Sequence, residues 1–597
     1  MHLSAEKHAS ADISAAVAEA SEQARSTLHG PVWLALRAHD DIMARARCVE
    51  RLHIDARAKL PLCGLTFGVK DNIDVAGLPT TAGCPAYAHT PRESASVVER
   101  LERAGAICIG KTHLDQFATG LVGTRSPHGA LPNPFDTEFV CGGSSSGSAV
   151  AVALGHVAFA LGTDTAGSGR IPAGFNNVVG IKPSRGLVST RGVVPACRSL
   201  DCVSIFAGDL ATAWNVLQFA AANDPADPYA RTLIQRLPFP ATIRLGIFDA
   251  LEFNGDALAQ AHFAGVVSKW RALGAKLADA HFAPFAEVAR LLYDGPWIAE
   301  RDAAFGAFVA AHPEECDPSV RSIVQRAAQF SATDAFRGFH RLREIAGQIE
   351  PLWNDVDALL VPTAPTHPRL ADVAREPLLA NAQLGIYANF VNLLDLAAIS
   401  VPAGFRNDGL PAGFTLIAPA GSDHALADLA HRYLRAHPNR IGIGKRVAEI
   451  GTPPQPLDDE PAWVRLAVAG AHMRDMPLNH ELLAAHARFV STARTAPHYR
   501  LHALSGSIPK PGLVREITGA SIGLELWELS NESFGRFVAK IPAPMAIGSV
   551  ELESGEWVKG FVCEPIALTD ALDITDYGDW RTYINACRET PAAMTSY

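Results

Sequence analysis

The chain has no apolar run long enough to cross a bilayer. Its longest, Ala149 to Leu161, is interrupted by Gly155 and His156. No cluster of Lys and Arg occurs, and a net charge of −10 argues against nucleic acid as a partner. The first twenty residues are polar and Ala-rich and lack the basic-then-apolar order of a secretory signal. The 10 cysteines contain no Cys-x-x-Cys pair, and the two nearest in sequence, Cys197 and Cys202, have no histidine cluster beside them. Buried reduced thiols, a cytoplasmic location and no structural metal are the expectation. Internal repeats and low-complexity tracts are also missing.

What is present reads as a folded enzyme. Charged residues make up 19% and hydrophobic ones 48%, the balance of a globular chain. At 597 residues the chain exceeds one ordinary core, so two or more domains are expected. Residues 1–60 carry apolar positions at helical spacing. From about 60 to 210, short apolar runs (Leu65–Val69, Ala106–Ile109, Val157–Leu161) alternate with helical patterns, which predicts an α/β core with an internal sheet. From about 210 to 350 the pattern is helical, including Glu287–Phe308 and Ser319–Gln348. Further strands are predicted at Ala358–Val361, Ala398–Val401 and Phe414–Ile417, followed by a helix over His424–Leu434. The segment 451–461 holds four prolines and three acids. It can continue neither a helix nor a central strand, and 453–461 is the predicted linker. Beyond it, Leu466–Ala469, Ile522–Leu529 and Val558–Cys563 are strand-like, predicting a small α+β domain over 462–597.

The chemistry concentrates in residues 141–172, where two Ser- and Gly-rich turns, around Ser144 and Ser168, flank an apolar segment. Lys70 lies upstream at the end of the strand-like run Leu65-Thr-Phe-Gly-Val-Lys70. Two hydroxyls and an amine suffice to activate a serine without histidine, provided the amine is neutral. Burial favours the neutral form. Lowering a lysine from about 10.4 to about 7 costs roughly 4–5 kcal/mol. Read alone, the commoner arrangement for Lys70 is a buried stem with its ammonium in solvent or paired with Asp71 or Asp74. Gly143 to Gly147 also spells G-x-S-x-G, the nucleophile elbow of α/β-hydrolases, but the preceding Pro132-Asn-Pro-Phe-Asp-Thr reads as a loop, not the required strand. A phosphate cradle lacks its G-K-[ST] ending.

Together these residues resemble the amidase signature family. The resemblance rests on Lys70, Gly142-Gly-Ser-Ser-Ser-Gly-Ser-Ala149 and Gly162-Thr-Asp-Thr-Ala-Gly-Ser-Gly-Arg-Ile-Pro172. It continues through Gly180-Ile-Lys-Pro183, Arg191-Gly-Val-Val-Pro195, Asn392 to Pro402 and Gly409 to Phe414, covering about residues 20–440. It implies an α/β amidase signature fold, a mixed central sheet covered by helices, over 1–452. It makes Ser168 the nucleophile, Ser144 a bridging serine in a cis peptide and Lys70 the base. The backbone N–H groups of Thr165, Ala166, Gly167 and Ser168 become the oxyanion hole. Asp164 and Arg170 read as a structural ion pair bracing the turn, and Ser145 and Ser146 as turn hydrogen-bonders.

Tyr293-Asp-Gly-Pro-Trp-Ile-Ala-Glu-Arg301 resembles the carboxylate clamp of allophanate hydrolases. Tyr293 and Arg301 stand near two helical turns apart if Pro296 leaves the helix unbroken. Taken alone, a surface arginine and a half-buried tyrosine is the commoner reading. Phe117 to Pro127 is similar to a loop of the same subfamily, in which Arg125 either faces substrate or supports the loop. Leu466 to His472 and Met476 to Asn479 resemble that subfamily's C-terminal domain, a γ-glutamylcyclotransferase-like fold. The stretch Phe537-Val-Ala-Lys-Ile-Pro-Ala-Pro544 lacks the acid a cyclotransferase uses. The resemblance assigns this domain to loss of CO2 from the first product, with His472 moving a proton and Asn479 or Lys510 holding a carboxylate. It implies no ATP, metal or biotin, a homodimer, and a separate chain (a urea carboxylase, or a biuret or cyanurate hydrolase) as the source of substrate. The rival within the family is another amide hydrolase or a transamidase; outside it, an inactive scaffold.

Overall fold

Strands form where short apolar runs are bounded by Gly, Pro or charged residues, and most of them join one sheet. The computed structural model describes residues 13–589 except 27, 58, 234, 449, 458–462 and 506–508. Residues 1–12 of the predicted N-terminal helical segment and the end of the predicted linker fall outside the described residues. The chain divides into two compact units, Met1–Asp458 and Asp459–Tyr597.

The first unit is built on an 11-stranded sheet. Its strands are β1 (Trp33–Leu36), β2 (Thr66–Lys70), β3 (Ile107–Thr112), β4 (Phe159–Asp164), β5 (Val179–Lys182), β6 (Cys202–Ala207), β7 (Arg244–Phe248), β8 (Lys276–Ala280), β9 (Ala358–Pro362), β10 (Leu396–Phe405) and β11 (Pro411–Pro419). The order across the sheet is β1-β3-β2-β4-β6-β5-β10-β11-β9-β7-β8. It is mixed. β2 runs parallel to β3 and β4, and β7 to β8 and β9, while β4–β6, β5–β6, β5–β10, β10–β11 and β9–β11 are antiparallel. Every residue of β2, β3, β4, β5, β6 and β9 is buried, as expected of strands covered on both faces. Helix Ser146–Ala153, made of small residues that are all buried, packs against β2, β3, β4 and β6.

Four expectations need correction. The predicted helix Ser319–Gln348 is two helices, Pro318–Gln325 and Ala332–Ile349, parted by a 3-10 turn at Arg326–Gln329 because Ser331 caps the second one, its side chain accepting from Asp334 N–H. Residues 33–36 are not helical: they pair with β3, Ala35 opposite Lys111 and Leu36 opposite Gly110, a long-range contact that local periodicity does not carry. The 210–350 region holds two strands, β7 and β8; β8 keeps Lys276 and Asp279 exposed, so it lacks an apolar signature. The predicted helix Glu287–Phe308 breaks into Ala283–Asp294, Ile298–Arg301, a π turn at Asp302–Gly306 and Ala307–Ala311. The cause is Pro296, which forces Gly295 before it into an extended conformation (φ −112°, ψ −174°).

The second unit has strands β12 (Trp463–Val468), β13 (Arg488–Arg494), β14 (Tyr499–Leu504), β15 (Lys510–Arg515), β16 (Gly523–Ser530), β17 (Met545–Glu551), β18 (Trp557–Cys563) and β19 (Leu572–Asp573). They form a five-stranded sheet, β13-β16-β12-β18-β17, and a three-stranded sheet, β15-β14-β19. Leu466, Tyr499, Trp527, Leu529, Val550 and Trp580 are among the side chains of its core. No described helix is long and apolar enough to cross a membrane.

Candidate active site

The sheet register brings Lys70 and the Ser168 turn together. β2 and β4 are parallel neighbours, Phe67 opposite Phe159 and Val69 opposite Leu161. Lys70 therefore ends its strand level with the Gly162-Thr163 end of β4. Its Nζ lies 2.8 Å from the Ser144 hydroxyl and 2.8 Å from the Thr163 hydroxyl. Ser144 Oγ in turn lies 2.9 Å from Ser168 Oγ. Amine and two hydroxyls thus form one continuous relay, and the Gly143–Ser144 peptide is cis.

Lys70 is fully buried, and burial pulls its ammonium down to about 7; Asp115, Asp201 and Asp164 oppose that fall. The alternative partners are occupied. Asp71 pairs with Lys111 at 3.0 Å, and Asp74 with His89 at 3.0 Å. The snorkelling arrangement is therefore not what the chain adopts. Loop residues 133–145 lead into the serine helix without the strand an α/β-hydrolase elbow requires.

The turn Thr165–Ser168 joins β4 to helix Ile171–Phe175. Among the described residues, the backbone N–H groups of Thr165, Ala166, Gly167 and Ser168 have no hydrogen-bond acceptor. Gly167 sits at φ +145° with Ala388 Cβ only 2.7 Å from where its own Cβ would lie, so only glycine keeps this path. The turn is braced by Asp164, whose carboxylate accepts from Arg170 Nε and Nη2 (2.9 and 3.0 Å) and from Gly169 N–H (2.9 Å). Burial pushes Asp164 up, but Arg170 and these donors hold it below the usual carboxylate range. Ser145 accepts from Thr163 N–H and donates to the Thr163 carbonyl (3.3 and 3.1 Å), and Ser146 meets His113 Nδ1 (2.7 Å). Both serines tie the loop to neighbouring strands.

Arg301 is fully buried, contrary to the surface position expected of it alone. Its guanidinium carbon lies 4.6 Å from the centre of the half-buried Tyr293 ring. The broken helix does not separate the pair; it folds Arg301 back over Tyr293. None of the three guanidinium nitrogens has a hydrogen-bond partner among the described residues. A buried group without hydrogen bonds costs about 1–3 kcal/mol. Burial works against the Arg301 charge, but Cys197, Tyr293 and the Asp201 and Glu300 carboxylates keep it raised above its usual value, leaving a charged fork with its donors open to an anion. Cys197 stands beside the guanidinium, its thiol pushed up to about 12 by burial. Arg125 is buried as well, but two of its nitrogens already donate to the Thr119 and Pro377 carbonyls (3.0 and 3.1 Å). It holds the loop.

Three residues of this site escaped the sequence reading. Thr163 accepts the second Lys70 hydrogen bond. Asp115, buried and pushed up by burial, accepts from Gly123 and Arg125 N–H (3.1 and 2.9 Å). Asp201 accepts from the Thr165 hydroxyl. Only Thr163 left a sequence signal, since it ends the apolar run beside the second serine turn.

In the second unit a cavity of about 260 Å³ is lined by His472, Glu481, Lys510, Phe537, Lys540 and Phe561 among others. His472 Nε2 lies 2.9 Å from Glu481 Oε2, and its ring stacks on Phe561 at 4.9 Å. Burial pulls His472 down and Glu481 raises it. Asn479 donates to the His472 carbonyl (2.9 Å), which positions the histidine backbone. Lys510 faces the cavity. All 10 cysteines are free; seven are buried, whereas Cys48 is exposed and Cys563 and Cys587 are half-buried. No group of three metal-ligating side chains occurs among the described residues.

Comparison with known proteins gives two matches to protein families. The amidase family matches residues 16–427, and the allophanate hydrolase C-terminal domain matches 464–585. The chain is 43% identical over 575 residues to the urea amidolyase of Saccharomyces cerevisiae, with 93% of this chain aligned to 31% of that protein. It is also 43% identical over 593 residues to the urea amidolyase of Lachancea kluyveri, 96% of this chain against 32% of that one. It thus spans about a third of the length of these relatives. The allophanate hydrolase of Kluyveromyces lactis superposes with a TM-score of 0.75 at 41% identity, covering 97% of this chain and 98% of that one.

Proposed function

The chain belongs to the amidase family, and from that premise we propose that it hydrolyses allophanate, H2N–CO–NH–COO⁻, by acyl transfer through Ser168. The observation that carries the substrate assignment is the buried Arg301 guanidinium over Tyr293, with no hydrogen-bond partner among the described residues. A planar fork of N–H donors in such a place suits a carboxylate bound by two parallel hydrogen bonds.

Each step follows from the relay. Lys70, neutral above about pH 7, takes the Ser144 proton while Ser144 takes that of Ser168. Ser168 Oγ attacks the distal carbonyl, and the new oxyanion settles on the N–H groups of the Thr165–Ser168 turn. One such donor is worth about 10²–10³ in rate, because it is already oriented and needs no rearrangement. The C–N bond breaks as Lys70 and Ser144 return the proton to the leaving nitrogen, and ammonia departs. General acid–base transfer of this kind contributes about 10²–10⁴. Water then repeats the path on the acyl-enzyme and frees ⁻OOC–NH–COO⁻. Neither step calls for a redox or phosphoryl carrier.

The freed dianion loses CO2 once a proton reaches its nitrogen or a carboxylate. The second unit's cavity supports a part in that loss: His472, held by Glu481, can carry a proton, and Lys510 and Lys540 can attract the anion. We further assign substrate supply to a separate urea carboxylase or to a biuret- or cyanurate-opening hydrolase, and the working state to a homodimer.

The test is ammonia release from allophanate by wild type, Ser168→Ala and Arg301→Ala proteins. Release by wild type, abolished in Ser168→Ala and lost chiefly through KM in Arg301→Ala, is the expected result. A wild type that ignores allophanate but cleaves a neutral amide overturns the substrate assignment and leaves another amidase of the same family.

A further inference from the structure

Between β5 and β6 the chain makes a tight loop at 197–201, in which Leu200 and Asp201 N–H both donate to the Cys197 carbonyl (2.9 Å each). Asp201 turns its carboxylate back into this loop. Oδ2 accepts from Ala196 N–H (2.9 Å) and Cys197 N–H (3.2 Å), and Oδ1 from Cys197 N–H (3.2 Å) and the Thr165 hydroxyl. Thr165 opens the turn that ends in Ser168. The same loop reaches the other side of the site. Ser199 donates its N–H and its hydroxyl to the Glu300 carboxylate (2.6 and 2.8 Å), one residue before Arg301. Cys197 lies against the Arg301 guanidinium.

We propose that Asp201 is a positioning residue for acyl transfer, its carboxylate holding the Ser168 turn in register with the loop that packs against Arg301. The proposal rests on Ser168 as nucleophile and Lys70 as base. A carboxylate suits the position because every group that reaches it is a donor: two backbone N–H groups and a hydroxyl. An asparagine turns an NH2 toward at least one of them and loses that bond.

Asp201 also belongs to the charge environment of the base. From neighbouring elements it faces Lys70 of β2 and both Glu300 and Arg301. Lys70 in turn faces Asp115, Asp201 and Asp164. All three carboxylates favour its charged form when ionised. Burial pushes Asp201 itself up to about 6, so through the Lys70 titration near about 7 it is mostly charged, and removing that charge moves the Lys70 deprotonation to lower pH. A residue that only stabilised the loop would leave that titration where it is.

The experiment follows, by mass spectrometry of the intact 597-residue chain, the rate at which phenylmethanesulfonyl fluoride modifies Ser168 between about pH 5.5 and 9, a window centred near the Lys70 value. The modification rate needs no substrate. Wild type is expected to show a rate rising through about pH 7. In Asp201→Asn the midpoint moves toward acid by about half a unit, and the plateau falls by roughly tenfold as the turn loosens. Thr165→Val removes the same tether but leaves the charge, so its plateau falls with the midpoint unmoved, and Thr165→Ser restores it. This second pair decides the matter if Asp201→Asn does not fold. Asp201→Asn with wild-type midpoint and plateau, or Thr165→Val with a wild-type plateau, overturns the proposal. A wild type whose Ser168 is not modified overturns the underlying catalytic reading instead.

Discussion

Arg301→Met separates charge recognition from everything else the site does. Methionine keeps the length and an apolar contact with Tyr293 but removes the guanidinium that is buried without a hydrogen-bond partner among the described residues. Allophanate and biuret, H2N–CO–NH–CO–NH2, have the same skeleton and differ in one terminal carboxylate against a neutral amide. A buried charge pair lost on one side costs about 2–5 kcal/mol, equivalent to roughly 30- to 4,000-fold in kcat/KM at about 1.4 kcal/mol per tenfold. Wild type is therefore expected to favour allophanate over biuret by that margin. In Arg301→Met, kcat/KM for allophanate falls by about 10²–10³, mostly in KM, while that for biuret changes less than about tenfold. The assay is ammonia release at about pH 8, above the Lys70 midpoint, with each substrate, on both proteins. Stability provides the second reading. Removing a buried unpaired group relieves about 1–3 kcal/mol, offset by about 1–2 kcal/mol of lost cation–π attraction, so the melting temperature of the amidase unit should not fall. A variant that keeps the preference for allophanate, at normal melting temperature, refutes the clamp.

Other consequences are equally direct. Ser144→Ala cuts the relay between amine and nucleophile, so kcat should drop by about 10²–10⁴, measured by ammonia release under saturating substrate. In wild type, kcat/KM should rise through about pH 7 as Lys70 loses its proton. The same titration bears on folding: the folded pKa lies below the unfolded one, so the unfolded chain holds more protons between about pH 7 and 10.4, and stability gains from this group as pH rises through that window. Gly167→Ala forces a Cβ against Ala388 at a φ that side chains avoid. It should cost at least about 10² in kcat with an unchanged far-UV spectrum, since only the oxyanion turn shifts. Finally, His472→Asn should leave the first ammonia unaffected and slow CO2 release from the product, followed by stopped-flow with a pH indicator.

Legibility in the sequence tracked how local the cause was. Lys70, Ser144 and Ser168 were readable because each sits in a short segment whose composition is itself unusual, and the structure links them through hydrogen bonds of 2.8 and 2.9 Å. The strands β2, β4, β9 and β16 were readable as bounded apolar runs. β1, β7 and β8 were not, because a short strand recruited by its neighbours carries no periodicity of its own. Arg301 was named, but its burial was hidden: it depends on Pro296 breaking a helix whose pattern runs straight through. Asp115 and Asp201 are single carboxylates in ordinary loops, and only the converging N–H groups around them reveal what they do.

The parallel pairing of β2 with β4 has a further consequence. The main-chain ladder brings Lys70 level with Thr163, while the Ser168 turn beyond it is held by the side chains of Asp164, Arg170 and Asp201. Tyr293 and Arg301 come from a separate helical excursion between β8 and β9 that contributes nothing to that ladder. On the proposed reading, an exchanged 283–311 segment would change which amide is bound while Lys70, Ser144 and Ser168 stay in place, provided the graft keeps the Glu300 carboxylate that accepts from Ser199.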